Sequence, residues 1–289
     1  MNVFYVITNH LKDPDLEKSQ LIRDYLVSHG KTCYISDSAM HPQEEGSTKS
    51  TRTYRYTDAS SIPEDVECVI VLGGDGTLLQ ASRDLQERDL PLLGVNLGTL
   101  GYLAEIEMHN IQEALDRLIN DDFTIENRMM LQGSVIRQGR TILSDISLND
   151  IVVVRKGHLR VIDFNIYVDS EYLCGYRADG IIISTPTGST GYSLSVGGPI
   201  VSPDASLILL SAIAPHTLSS RTIVLPDSIQ IDVEITGQHC DCAEVVFDGD
   251  TTLNVGAGDR ISAVISKKRA RLIKINNTSF VEILRRKLN

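Results

Sequence analysis

No apolar run in this 289-residue chain approaches the roughly 18–20 residues that a membrane-spanning helix needs, so no membrane partner is expected. Positive charge is also in short supply: 27 Lys and Arg stand against 38 Asp and Glu, a net charge of −11. A nucleic-acid binder needs a basic face to neutralise phosphates, so no nucleic-acid partner is expected either. One local pocket can still oppose the global sign and hold a small phosphate ligand. Cysteine is sparse. The five cysteines, Cys33, Cys68, Cys174, Cys240 and Cys242, are odd in number and scattered, which suits reduced thiols in a cytoplasmic protein better than a disulfide framework. Tryptophan is absent, and nothing functional follows from that. The start, Met1–Ile7, has no charged leader and reads as a first β-strand.

Two familiar phosphate motifs are missing too. There is no G-x-x-x-x-G-K-[ST], which excludes a P-loop protein. Gly74-Asp-Gly76 is followed by Leu79 where a dinucleotide fingerprint needs its third glycine, which disfavours a dehydrogenase-type site.

What is present describes an ordinary soluble chain, 42% hydrophobic and 22% charged, long enough for two cores. Asn2–Thr8 reads as a strand. Leu16, Leu21, Ile22, Tyr25 and Leu26 give a helical stripe ending near Gly30, and Thr32–Ile35 gives a second strand. That β-α-β order begins a parallel sheet. Asp37–Pro63 is rich in Ser, Thr, Glu, Gly and Pro without periodicity and reads as a long loop, equally a functional flap or plain disorder. Cys68–Leu72 is a buried strand, a helix follows from Leu78, Leu92–Asn96 is another strand, and Ile111–Ile119 a helix. Beyond about Asn127 β-branched segments succeed one another, punctuated by Gln138-Gly139 and Asp248-Gly249, so this half reads as mainly β. Ser279–Glu282 fits a capping box opening a last helix.

The chemistry concentrates in a few places. Gly73-Gly74-Asp75-Gly76-Thr77 joins a strand to a helix, which gathers backbone N–H groups at a helix N-terminus and attracts phosphate. An acid in such a cradle repels the ligand unless it has work to do. An ionised Asp75 serves as general base toward a hydroxyl, which points to phosphoryl transfer to an alcohol. Gly175–Pro199 follows with a buried strand, Ile181–Ser184, and a loop crowded with glycines and small hydroxyls that suit a ligand lying against backbone. Leu148-Asn149-Asp150 sets an amide beside a carboxylate, by itself more often a turn than a site. His239-Cys240-Asp241-Cys242 lacks a second half at finger spacing and is not read as zinc. Ser189 and Ser193 lack the G-x-S-x-G of a hydrolase, and His158 stands alone.

Taken together, GGDGT at Gly73–Thr77, NLGTLGYLAE at Asn96–Glu105, LND at Leu148–Asp150, the segment Asp179–Ile200 and PHTLSSR at Pro215–Arg221 resemble the bacterial NAD kinase family in order and spacing. GGDG alone is shared with diacylglycerol-, sphingosine- and phosphofructo-kinase relatives, so a lipid kinase is one rival. A non-catalytic NAD(P) sensor is another. The resemblance implies an N-terminal Rossmann-like α/β domain over residues 1–126, a β-rich, β-sandwich-like domain over 127–270 and a closing segment over 271–289 that packs back on the first domain. NAD would lie between the domains.

It also implies roles. Asp75 is the base on the adenosine ribose 2′-hydroxyl, with Gly76 beside it, and Gly73, Gly74, Gly76 and Thr77 face the phosphates. Asn149 and Asp150 hold ribose and adenine-side groups, and Tyr102 lies near the adenosine. Thr190, Gly191, Tyr192, Ser193, Leu194 and Ser195 line the dinucleotide pocket. Arg160, Arg177 and Asp179 are further contacts, with Asp179 reaching a neighbouring subunit. The donor is ATP or polyphosphate, Mg2+ or another divalent metal comes mainly on its phosphates, and the protein is a cytoplasmic homodimer or homotetramer. Two positions depart from the family pattern: Gly191 stands where many relatives have Ala. Asp250 stands where relatives often carry Gln, so it either alters affinity or faces solvent.

Overall fold

The computed structural model describes residues 1–36, 58–98, 101–157, 161–217, 220–237, 243–276 and 278–288. Arg160, most of the Asp37–Pro63 loop, His158 and the His239–Cys242 cluster lie outside the described residues. The chain forms two compact units. One is built from the described parts of Met1–Pro42, Tyr54–Arg128 and Arg269–Asn289, the other from Met129–Lys268.

The first unit opens with β1 (Val3–Thr8), α1 (Glu17–Ser28), β2 (Thr32–Ile35), β3 (Cys68–Gly73), α2 (Asp75–Asp84), β4 (Leu92–Asn96), β5 (Ile106–Glu107) and α3 (Ile111–Ile119). The strands run parallel in the order β2-β1-β3-β4. Parallel sheets of this kind are covered on both faces, which is why β3 reads as an unbroken apolar run and is buried along its whole length. Phe4, Ile22, Leu26, Ile70, Leu93 and Leu115 sit in its core, each contributing roughly 1.5–3 kcal/mol on burial. Thr8 is opposite Leu72, and Gly73 opposite Asn96. The turns that follow β1, β3 and β4 therefore emerge side by side at one edge of the sheet.

The end of the Asp37–Pro63 segment is not structureless. Asp58 accepts the Ser60 N–H at 3.0 Å and caps a 3-10 turn at Ala59–Ser61. The Arg88 guanidinium donates to the carbonyls of Ala59, Ile62 and Pro63. A single arginine far along the sequence fixes what local composition reads as loop.

The second unit is almost entirely antiparallel. After β6 (Thr124–Arg137), which carries the chain from one unit into the next, come β7 (Arg140–Ser147), β8 (Asp150–Arg155), β9 (Ile162–Val168), β10 (Glu171–Ala178), β11 (Gly180–Ser184) and a short α4 (Tyr192–Ser195). Then follow β12 (Leu207–Ile213), β13 (Ile223–Pro226), β14 (Ile231–Ile235), β15 (Ala243–Phe247), β16 (Thr251–Val255) and β17 (Arg260–Lys274). One set of strands is ordered β13-β12-β11-β8-β15-β16 and another β10-β9-β14-β17. Ile151, Ile183, Leu210 and Phe247 from the first set share one core with Phe164, Val233 and Ile261 from the second. Gly133 is needed there, because a Cβ would come within 2.5 Å of the Phe247 ring.

The last residues of β17 return to the first unit, where Leu272 pairs in parallel with Leu92 of β4. α5 (Phe280–Leu288) closes the chain, with Ser279 Oγ accepting the Glu282 N–H at 3.2 Å. Among the described residues no helix is long and apolar enough to cross a membrane.

Candidate active site

In the first unit the residues of interest lie at the sheet edge where β1, β3 and β4 end. Gly74 is the N-cap of α2, so Asp75 is its first residue. Gly73 has no room for a side chain: a Cβ would lie 2.2 Å from Thr77 Oγ1. Thr77 is buried and its N–H returns to the Gly74 carbonyl at 3.1 Å, closing the turn. Leu97 N–H donates to the Gly73 carbonyl at 2.8 Å, and Gly98 N–H to Asn96 Oδ1 at 2.7 Å, so the turn after β4 is stitched to the turn after β3.

Among the described residues, the Asp75 carboxylate is held by backbone N–H groups. Tyr102 N–H donates to Oδ2 at 2.6 Å, and the N–H groups of Leu103 and Ala104 donate to Oδ1 at 3.1 and 3.2 Å. Gly101 is the condition for this: a Cβ there would sit 1.9 Å from Asp75 Oδ1. The sequence presents Gly73–Thr77 and Asn96–Glu105 as two motifs, and the fold makes them one device that points a carboxylate. Tyr102 itself is half-buried and carries the Lys287 ammonium 5.5 Å from its ring centroid.

In the second unit Asp150 opens β8 and is paired with Ser184 at the end of β11. The Asn149-Asp150 pair and the Thr185–Ser195 segment are thus neighbours at the same end of the strands. Asp248 anchors them. Its carboxylate accepts the N–H groups of Leu148, Asn149 and Asp150 at 2.7, 2.8 and 3.0 Å. This residue reads from sequence only as half of an Asp-Gly turn, and a contact about a hundred positions away leaves no local signal. Asp150 is 6% exposed, and burial together with the nearby Asp248 charge pushes its carboxyl up to about 8, against a Tyr192 N–H that favours the charged form. At neutral pH Asp150 is mostly a proton donor. Asn149 Oδ1 is buried and has no hydrogen-bond partner among the described residues.

Thr185–Ser195 is less a loop than two tight turns, a 3-10 turn at Thr187–Thr190 followed by α4. Most of its hydroxyls serve the fold. Thr185 Oγ1 donates to the Leu148 carbonyl at 2.6 Å, Thr190 Oγ1 to the Thr187 carbonyl at 3.2 Å, and Ser189 Oγ accepts the Val201 N–H at 3.0 Å. Ser193 is fully buried with its hydroxyl 3.4 Å from that of Ser211. Tyr192, Leu194 and Ser195 are exposed, and Thr190 and Gly191 half-buried. Gly188 is fixed by a Cβ position 2.2 Å from the Asn149 carbonyl oxygen. At Gly191 a methyl would lie 3.2 Å from the Gly188 carbonyl and 3.4 Å from Asn149 Nδ2, so the carbonyl would have to give by a few tenths of an ångström.

Arg177 is well exposed, with its guanidinium 3.8 Å from Asp163. Asp179 pairs with Arg155 at 2.8 Å. Asp250 does not face solvent: it is 2% exposed, because the tight Asp248-Gly249 turn folds it inward. Among the described residues no group of three or more His, Cys, Asp or Glu is placed to hold a metal ion.

The chain is similar to known proteins over its whole length. The family model of the ATP-NAD kinase N-terminal domain matches residues 19–123, and that of the ATP-NAD kinase C-terminal domain matches residues 148–275. The chain is 45% identical to the NAD kinase of Lachnospira eligens over all of both chains. It is 42% identical to that of Lachnoclostridium phytofermentans over 99% of each. Among solved structures, yeast NADH kinase complexed with NADH superposes on it with a TM-score of 0.84 at 21% identity, over all of this chain and 87% of that one. An NAD kinase from Archaeoglobus fulgidus in complex with ATP gives 0.75 at 23%, over all of this chain and 98% of the other. At such identities the two structures show the fold, and the full-length relatives carry the rest: this chain belongs to the ATP-NAD kinase family.

Proposed function

We propose that the chain is an NAD kinase that moves the γ-phosphoryl group of ATP to the 2′-hydroxyl of the adenosine ribose of NAD, giving ADP and NADP. The observation that carries the reading is the Asp75 carboxylate, aimed by three backbone N–H groups at the head of a glycine turn, in a chain of this family.

In this reading the first unit is a Rossmann-like α/β domain, with four parallel strands in its support, and the second is a β-sandwich-like, NAD-binding domain. The glycine turn Gly73–Thr77 receives the donor's phosphates on backbone N–H groups. Asp75 takes the proton of the ribose hydroxyl as its oxygen bonds to the γ-phosphorus. The bond from that phosphorus to the bridging oxygen breaks, and ADP leaves with the electron pair. Asn149, with an unused buried acceptor, and Asp150, a proton donor at neutral pH, suit ribose and adenine groups that offer one of each. Tyr102 gives the adenosine an aromatic face.

The half-buried Thr190 and Gly191 and the exposed Tyr192, Leu194 and Ser195 line the dinucleotide pocket. Ser193 contributes through its backbone, its hydroxyl being turned to Ser211. Arg177 supplies a cation, and Asp179 reaches a second subunit. Arg160 keeps the contact role that its place in the sequence suggests. Both Asp75 oxygens already accept N–H groups, and the chain offers no carboxylate cluster among its described residues. That donor set fits a divalent metal such as Mg2+ held by phosphate oxygens and water. Such a metal supplies charge neutralisation on the phosphates.

The test is direct. Incubated with Mg-ATP and NAD, the protein is expected to release NADP. Phosphorylation of a diacylglycerol or a sphingoid base instead, or no product with any metal or with polyphosphate as donor, would contradict the reading. The exposed Tyr172 and Leu173 on the outer strand β10 support assembly as a homodimer or homotetramer, which light scattering on the purified protein checks.

A further inference from the structure

The loop after β1 brings to the glycine turn a cation that no motif singled out. Lys12 Nζ lies 3.6 Å from the point a Cβ on Gly74 would occupy and 3.4 Å from the corresponding point on Gly98. The ammonium therefore stands over two positions that have no side chain, one at the N-cap of α2 and one just past β4.

The backbone that carries it is tied to the same turn. Asn9 N–H donates to the Leu72 carbonyl at 2.9 Å, and Lys12 N–H to the Asn9 carbonyl at 2.8 Å. Asn9 Nδ2 reaches Thr77 Oγ1 at 3.4 Å. The neighbouring acid is already occupied. Asp13 is buried and accepts from the Ser19 hydroxyl at 2.6 Å and from the N–H groups of Lys18 and Ser19 at 3.0 and 3.1 Å. Among the described residues no carboxylate forms an ion pair with Lys12.

An ammonium that forms no ion pair among the described residues, set over open glycine backbone at a helix start, suits a phosphate chain. Lysine supplies a compact point charge on a flexible stem, while the backbone N–H groups fix position. A chain of net charge −11 needs such a local cation if it is to hold a triphosphate.

We propose that Lys12 binds the terminal phosphates of the phosphoryl donor and offsets the charge that spreads over them during transfer. The inference rests on the reading that the Gly73–Thr77 turn receives the donor.

Two measurements on the full chain test it. In steady state, with Mg-ATP and NAD varied in turn, Lys12→Met is expected to raise KM for Mg-ATP or lower kcat by about tenfold or more. KM for NAD should stay within about twofold and Lys12→Arg should recover part of the loss. Lys31→Met is the charge control: Lys31 precedes β2 at the opposite end of the strands and holds Asn2 Oδ1 at 2.8 Å. It should behave as wild type. In calorimetry, inorganic tripolyphosphate with Mg2+ should bind the wild type at least about fivefold tighter than Lys12→Met, whatever the acceptor substrate is.

Wild-type NADP synthesis with unchanged donor kinetics and tripolyphosphate binding in Lys12→Met overturns the role of Lys12 and leaves the kinase reading standing. An equal loss in Lys31→Met overturns it too, as an effect of net charge. A wild type that makes no NADP but binds tripolyphosphate through Lys12 overturns the kinase reading and keeps the phosphate site.

Discussion

At Gly101 the chain passes so close to Asp75 that one added carbon would lie 1.9 Å from a carboxylate oxygen. Gly101→Ala must displace either the carboxylate or the segment that aims it. Because a misplacement of about an ångström at the reacting atoms can cost on the order of 100-fold in rate, kcat is expected to fall by about that much. Overpacking should cost about 1–3 kcal/mol of stability, read by urea unfolding. An unchanged kcat would mean that the three N–H contacts do not orient the base.

Asp150 makes a prediction about pH. Its carboxyl is raised from 3.8 to about 8 in the folded chain, so the folded state holds a proton that the unfolded state has given up between those values. The stability this group contributes is full below about 3.8 and is lost as pH rises through about 8. Asp150→Asn cannot ionise, and its unfolding midpoint should fall less than that of the wild type between pH 5 and about 8. Parallel curves would show that Asp150 is ionised when folded.

Elements were legible wherever local pattern decides them. The continuous apolar run at Cys68–Leu72, the four-residue spacing at Ile111–Ile119 and the strand Leu92–Asn96 all appear where composition places them. Gln138-Gly139 and Asp248-Gly249 are tight turns with left-handed residues at both positions. Long-range pairing was not legible. Gly133–Ile136 and Thr141–Leu143 read as two short strands, yet cross-strand pairing extends them to fourteen and eight residues.

The hairpin joining β9 and β10 carries no glycine signal in the sequence, because its turn, Asp169-Ser170, takes left-handed angles of 49° and 70° without glycine. Asp169 is held there by the Gln230 N–H at 2.9 Å, whereas no side-chain hydrogen bond among the described residues holds Ser170. Ser170→Gly should relieve the strain and stabilise the chain by about 0.5 kcal/mol or more, read as a higher urea midpoint at unchanged slope. A lower midpoint would show that glycine's unfolded-state entropy outweighs the strain.

For the molecule as a whole, the candidate site stood out in the sequence as residue types and motifs but not as an arrangement. The awkward acid in the glycine turn, the amide–carboxyl pair and the hydroxyl-rich segment all stand out in the sequence. What holds them does not: Asp248 lies about a hundred positions from the backbone it anchors, and Tyr102–Ala104 lie 27 to 29 positions from the carboxylate they aim. Hydroxyls of Thr185, Ser189 and Thr190 also bond within the fold, because a buried turn must satisfy its own polar groups.

The central claim is that Asp75 removes the proton from the acceptor hydroxyl. Asp75→Asn keeps the size of the side chain and one oxygen for the segment 102–104 while removing the base. Steady-state turnover with Mg-ATP and NAD, paired with calorimetric NAD binding, tests it most directly. The expected result is a kcat lower by about 100- to 10,000-fold, with the dissociation constant for NAD within about threefold of wild type. A variant that turns over at a near-wild-type rate, or one whose loss is wholly accounted for by weaker NAD binding, would contradict it.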